Sequence, residues 1–215
     1  MAKENKKLKQ KRKPISFTVI DRVFERVHIK KLLLFVSLIG ATLILIVSLL
    51  GYAENKPFLI FQNIFNIPKV FALSTILLLT INFFISKIVS MVEAERFVKL
   101  KKYSLVALML MFAFGISQAI GIFQLLEQKI HFVSFYSRVY IFTIFGMHFL
   151  GMILGTITLA HYFLLSIKLV KDPVKRLVVT TNPYQKVKTE MLSIFWNYFT
   201  YSWVLLFLYF YFTIS

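Results

Sequence analysis

Two histidines, His148 and His161, stand in an apolar run that also holds Gly146, Gly151 and Gly155 and no formal charge. Imidazoles there could ligate a metal or haem, relay a proton, or hydrogen-bond a neighbouring helix. Ligation of a shared metal fails on spacing: thirteen positions put the rings roughly 20 Å apart along a helix and on largely different faces. No Asp, Glu or Cys accompanies either ring, and no other long apolar run carries a histidine to converge on them. Ion or proton carriage needs an ionisable group at membrane depth. Apart from the two histidines, the apolar runs offer only neutral Asn82, Gln118, Asn197 and Thr200. The expectation is a chain with no catalytic, metal or cofactor-binding residue of its own. His148 shares a helical face with Gly151 and Gly155, so it reads as an interhelical hydrogen-bonding group beside a close-packing stripe, worth about 0.6 kcal/mol. His161 reads as interfacial.

The second unusual stretch runs from Glu190 to Trp203. Trp196 and Trp203 are seven positions apart and share a helix face, so they form a stripe rather than a ring at one depth. Glu190 opens the same helix, where a carboxylate complements the positive end of the helix dipole. Gln118 and Asn197 read as links between helices rather than ligands. The residues expected at helix-packing, lipid or subunit contacts are therefore His148, Gly151, Gly155, Gln118, Glu190, Trp196, Asn197 and Trp203.

Long apolar helices must position these groups. The chain is 58% hydrophobic and 16% charged, with 24 Phe and 10 Tyr, many near the ends of apolar runs where interfacial aromatics belong. Cysteine is absent, which excludes disulfides, thiolate metal sites, thioether-linked haem and a cysteine nucleophile. Five runs are long enough to span a bilayer, at about 32–52, 70–89, 104–126, 139–167 and 191–214. The first is too long for a secretory signal core and lacks a small-residue cleavage site, so no signal peptide is expected. Ala113, Ser117 and Gly121 suggest a second small-residue ladder in the third span.

Residues 1–29 read as a basic cytoplasmic tail, and residues 30–215 as the five-helix transmembrane domain. Met1 to Lys13 hold seven Lys or Arg against Glu4 alone, a composition that favours disorder. From Ile15 to Val27 apolar residues recur at helical spacing, as expected of a short amphipathic helix on the membrane surface. Residues 53–69, with Phe58, Phe61 and Phe65, read as an aromatic loop resting at the interface, and 168–190 as a basic loop broken by Pro173 and Pro183. The basic residues also set orientation. Eleven lie in the first 31 residues, five follow the second span (counting Lys87) and six follow the fourth, against two in each remaining loop. That bias predicts an all-α integral membrane protein with a cytoplasmic N-terminus and an external C-terminus. The net charge of +17 is thus a topology signal and not a nucleic-acid footprint.

The two stretches together resemble subunit III of the haem-copper cytochrome c and quinol oxidases in its short, five-span bacterial form. That family carries His-Gly-x-His-Val-x-x-Gly in the fourth span; His148 matches its first histidine and Gly155 its last glycine. In the last span it carries a Glu and, further on, Tyr-Trp-His-Phe-Val-Asp-x-x-Trp, which Glu190, Phe195, Trp196, Tyr198 and Trp203 match or nearly match. Pro68 before the second span and Gln118 in the third also fit. The resemblance covers about residues 28–213. The second signature histidine falls on Gly151, the last-helix histidine and aspartate on Asn197 and Thr200, and a first-span glutamate near Ala41 or Thr42. Each departure replaces an ionisable group with a neutral one. The resemblance implies an accessory subunit without haem or copper, which holds phospholipid and supports subunits I and II of an aerobic respiratory complex in a bacterial inner membrane. The alternative is a divergent scaffold outside respiration, docking an acidic partner or anionic lipid through its basic tail.

Overall fold

The computed structural model describes residues 17–54, 68–127 and 135–214. Among these residues there are six α-helices and no strand: α1 (Phe17–Glu54), α2 (Val70–Glu93), α3 (Phe97–Glu127), α4 (Phe135–Lys171), α5 (Pro173–Thr180) and α6 (Pro183–Ile214). Five are long and apolar enough to cross a membrane, over Ile29–Glu54, Val70–Glu93, Phe97–Glu127, Val139–Lys171 and Tyr184–Phe212. The basic segment up to residue 16 and the aromatic patch at Phe58, Phe61 and Phe65 lie outside the described residues.

Several helices overrun the apolar runs that define them. α3 starts at Phe97 rather than near residue 104, because Lys99, Lys101 and Lys102 are good helix formers and carry the helix out of the apolar layer. The surface helix expected over residues 15–27 is not separate: α1 runs unbroken from Phe17 into the first span, with no Gly or Pro before Gly40 to interrupt it. The basic loop expected over 168–190 is largely helical. Asp172 caps α5, its carboxylate accepting the N–H groups of Val174 (3.0 Å) and Lys175 (3.1 Å), with Pro173 in the first turn. The Lys175 N–H chiefly holds that carboxylate below its ordinary pKa. Pro183 likewise opens α6, after Asn182 accepts from the Tyr184 N–H at 3.0 Å. Both prolines begin helices because the first turn has no use for the missing N–H. α5 leaves Val174, Leu177 and Val178 uncovered by protein, the pattern of a short interfacial helix.

α2 and α3 form a tight antiparallel hairpin. At its turn Glu95 takes a left-handed conformation (φ 54°), the Arg96 N–H reaches the Met91 carbonyl (2.9 Å) and the Glu95 N–H reaches that of Val92 (3.2 Å). This is the Schellman closure, with a glutamate where glycine is usual. Along the hairpin the Ser74 and Ser117 hydroxyls lie 2.8 Å apart, and Gly121 faces Phe71. Ala113, the third rung of the expected ladder, is instead exposed. It lies about 80° around the helix from Gly121, too far to share the face.

α4 packs against α3, and α6 closes the bundle against α2 and α4. One continuous core unites them, including Leu78, Ile85, Leu100, Phe114, Leu159 and Trp196. α1 joins from outside, touching α4 and α6 through a smaller cluster around Leu45, Ile144 and Leu206. Only 11% of its apolar segment is buried, against 33% for α3 and for α6.

Candidate functional site

The glycine stripe of α4 and the aromatic stripe of α6 are the two sides of one seam. A Cβ at Gly151 would come within 2.7 Å of the Phe199 ring, and one at Gly155 within 2.9 Å of the Trp196 indole. Each glycine leaves the space that an aromatic ring occupies. Trp196 is fully buried and Phe199 and Trp203 nearly so. Trp203 donates its indole N–H to Thr75 Oγ1 (3.1 Å), tying α6 to α2. Phe199 was not singled out by sequence, although its position between Trp196 and Trp203 on one helical face was the available signal.

His148 lies at the end of this seam, 7% exposed. Its ring stacks on Phe199 (centroids 5.5 Å, planes at 29°) and lies 5.0 Å from Trp203. Among the described residues neither ring nitrogen has a hydrogen-bond partner on another helix, which corrects the expectation of an interhelical bond. The neighbours that reach His148 are aromatic faces, so the imidazole packs here as a flat ring. Gln118 Nε2, Trp196 Nε1 and Thr200 Oγ1 are likewise buried without partners. His161 is exposed, edge-on to Tyr162 at 6.0 Å.

Between α1, α4 and α6 runs an open groove of about 540 Å³. Its walls are leucines, methionines and Phe195; His148 and Gly151 line its α4 side, Ala41 its α1 side, and Lys30 one end. α1 is fastened at both ends of the groove. At the Lys30 end, Lys31 pairs with Glu190 (2.5 Å) and the Lys30 amine donates to the Tyr184 hydroxyl. Toward the far end, Gly51 lies against the Tyr140 ring and Tyr52 meets Phe210 edge-on at 5.7 Å. Midway, the hydroxyls of Thr42 and Tyr198 lie 3.1 Å apart. Ala41 thus lies in the wall of the groove, with Thr42 beside it.

Asn197 is separate from both features. Its carboxamide accepts from Asn82 Nδ2 of α2 (3.1 Å) on the exposed outer face of the bundle. The eight expected contact residues thus divide by place. His148, Gly151, Gly155, Trp196 and Trp203 belong to the seam, Gln118 is buried on α3, Glu190 fastens α1, and Asn197 looks outward. Among the described residues no three His, Asp or Glu side chains converge.

Fold and site together define a multi-pass helical membrane protein organised on a glycine–aromatic seam. No protein-family model matches the chain, and no curated protein and no solved structure matches it significantly.

Proposed function

We propose that this chain is an accessory, non-redox subunit of the subunit III type, flanking the catalytic subunit of a haem-copper terminal oxidase in a bacterial inner membrane. The observation that carries the reading is the seam. The two stretches that resemble subunit III, distant in sequence, meet residue against residue, Gly155 on Trp196 and His148 beside Trp203. The uneven distribution of Lys and Arg supports a cytoplasmic N-terminus and an external C-terminus. In that orientation Lys30, Lys31 and Tyr184 stand at the cytoplasmic end of the groove, where amines attract a lipid phosphate. The groove accommodates acyl chain along α1. In this role the subunit supports assembly and lipid retention beside subunits I and II, and the electron-transfer chemistry belongs to its partners.

Purification of the tagged chain from its native membrane in mild detergent tests the reading. Co-purification of a catalytic oxidase subunit with haem absorbance and phospholipid is expected. A preparation free of any oxidase subunit and of haem absorbance would overturn it. The loss of ionisable residues at Gly151, Asn197, Thr200 and the first span favours one competing reading, a scaffold outside respiration that docks through its basic tail. On that reading, deleting residues 1–16 releases an acidic partner and no oxidase subunit is recovered.

A further inference from the structure

Hydroxyl side chains on the outer face of the bundle satisfy themselves. Ser37 donates to the Leu33 carbonyl, Thr80 to Ile76, Ser86 to Phe83 and Thr143 to Val139, each bond made within its own helix. The Asn82–Asn197 pair does not follow this pattern. It lies near the middle of two spans, Val70–Glu93 and Tyr184–Phe212, and it is exposed. A single bond, from Asn82 Nδ2 to Asn197 Oδ1, uses little of what two carboxamides offer. Asn82 Oδ1 and both N–H groups of Asn197 have no partner among the described residues. Hydrocarbon supplies neither donors nor acceptors, so each such group facing lipid is left unpaired at a cost. Another polar group at the same depth removes that cost.

We infer that this α2–α6 face docks a second copy of the chain. The argument is hydrogen-bond self-complementarity. The pair presents an unused acceptor on α2 and unused donors on α6, side by side. A two-fold axis along the membrane normal, which relates copies inserted the same way, sets α2 of one copy against α6 of the other. Asn197 Nδ2 of each copy then meets Asn82 Oδ1 of its mate, giving two equivalent bonds. Depth matching is automatic because the two faces are identical. The flanks agree: Thr75 pairs with Trp203 and Asn82 with Asn197, so α2 and α6 are antiparallel and Leu79 lies within about two residues, or about 3 Å, of the level of Tyr201. Both are about half exposed or more, at 48% and 61%, and under the same axis each covers the other across the interface. This inference is independent of the oxidase reading.

The chain has no cysteine, which permits a direct test. Full-length chains carrying Leu79→Cys and Tyr201→Cys are made separately, mixed in detergent, reconstituted together in phospholipid vesicles and oxidised. The expected product is a mixed Leu79–Tyr201 disulfide dimer, favoured over either like-with-like dimer. Phe112→Cys on the exposed face of α3 provides the control and should remain uncrosslinked. In parallel, Asn82→Leu and Asn197→Leu should each weaken self-association in bilayers roughly tenfold, by fluorescence energy transfer between labelled copies, with helical content unchanged. A monomer at all protein-to-lipid ratios would overturn the inference. So would dimers indifferent to both asparagine substitutions, crosslinking at Phe112 equal to that at Leu79 and Tyr201, or a face filled by a different membrane protein while the chain stays monomeric.

Discussion

α6 meets α4 and α1 in two different ways, and the contrast shows what holds this bundle together. Against α4 it is sealed: Gly151 and Gly155 admit Phe199 and Trp196 to contact distance, and His148 contributes a flat ring to the same surface. Against α1 it is fastened near the ends, bridged midway by the Thr42 and Tyr198 hydroxyls and otherwise open, leaving the groove of about 540 Å³. In lipid no hydrophobic effect drives helix association, so close van der Waals contact must supply the attraction. Glycines in register with rings provide that contact. α1 has Gly40 facing open space and draws its hold from the small cluster around Leu45, an ion pair, a few rings and Gly51 against Tyr140. The seam is closed and the groove is open.

Substitutions that fill the seam should have the largest effect. Gly155→Ala places a methyl group against Trp196 and should cost about 1–3 kcal/mol; Gly155→Leu exceeds that and should abolish the folded bundle in mild detergent. The same changes at Gly146, which has nothing within 4 Å, should leave thermal unfolding nearly unchanged. If Gly155→Leu were tolerated as well as Gly146→Leu, the seam would not be the stabilising contact. His148 separates shape from polarity at the next level. His148→Ala removes a ring from between Phe199 and Trp203 and should cost about 2 kcal/mol. His148→Phe keeps the ring and discards nitrogens that bond no other helix among the described residues, so its stability should equal or exceed that of the parent chain.

Trp203→Phe should cost about 1 kcal/mol, the worth of one interhelical hydrogen bond to Thr75. A double-mutant cycle with Thr75→Val should recover most of that value as coupling. The smallest effect belongs to the groove side. Glu190→Gln breaks a partly exposed ion pair and should cost at most about 1 kcal/mol in unfolding. It should nevertheless raise the mobility of a spin label on the Lys30 end of α1 while leaving labels on α4 unchanged. Equal loosening of both helices would mean that groove and seam are one unit.

Much of this was legible in the chain. The five spans follow from apolar length, and the glycine and tryptophan stripes follow from spacing on a helix. Spacing alone could not show that the two stripes face each other, because each says which side of its own helix is special and nothing about its mate. Phe199 shares a helix face with Trp196 and Trp203, but among 24 phenylalanines its importance shows only once Gly151 is set against its ring. The hydrogen bond expected at His148 failed because sequence reports a polar ring without reporting that its neighbours are aromatic faces. Pro173 and Pro183 misled differently. They suggested a loop because proline breaks helix interiors, yet Asp172 and Asn182 stand immediately before them as caps, which makes helix starts of both.

The residue order by itself determined an all-helical chain with five segments able to cross a membrane, and the basic residues that distinguish its two sides. Both are properties of single segments, set by transfer of side chains between water and lipid, and need no knowledge of neighbours. Tertiary structure decided which polar groups are used and where. It paired Asn82 with Asn197 on the outside, Lys31 with Glu190 at one end of the groove, two turns inside α6 rather than at its start, and Trp203 with Thr75 within, while leaving His148 to pack as a ring. Such pairings depend on which helix faces which, and in lipid that choice rests on shape, read only when glycine and ring are brought together.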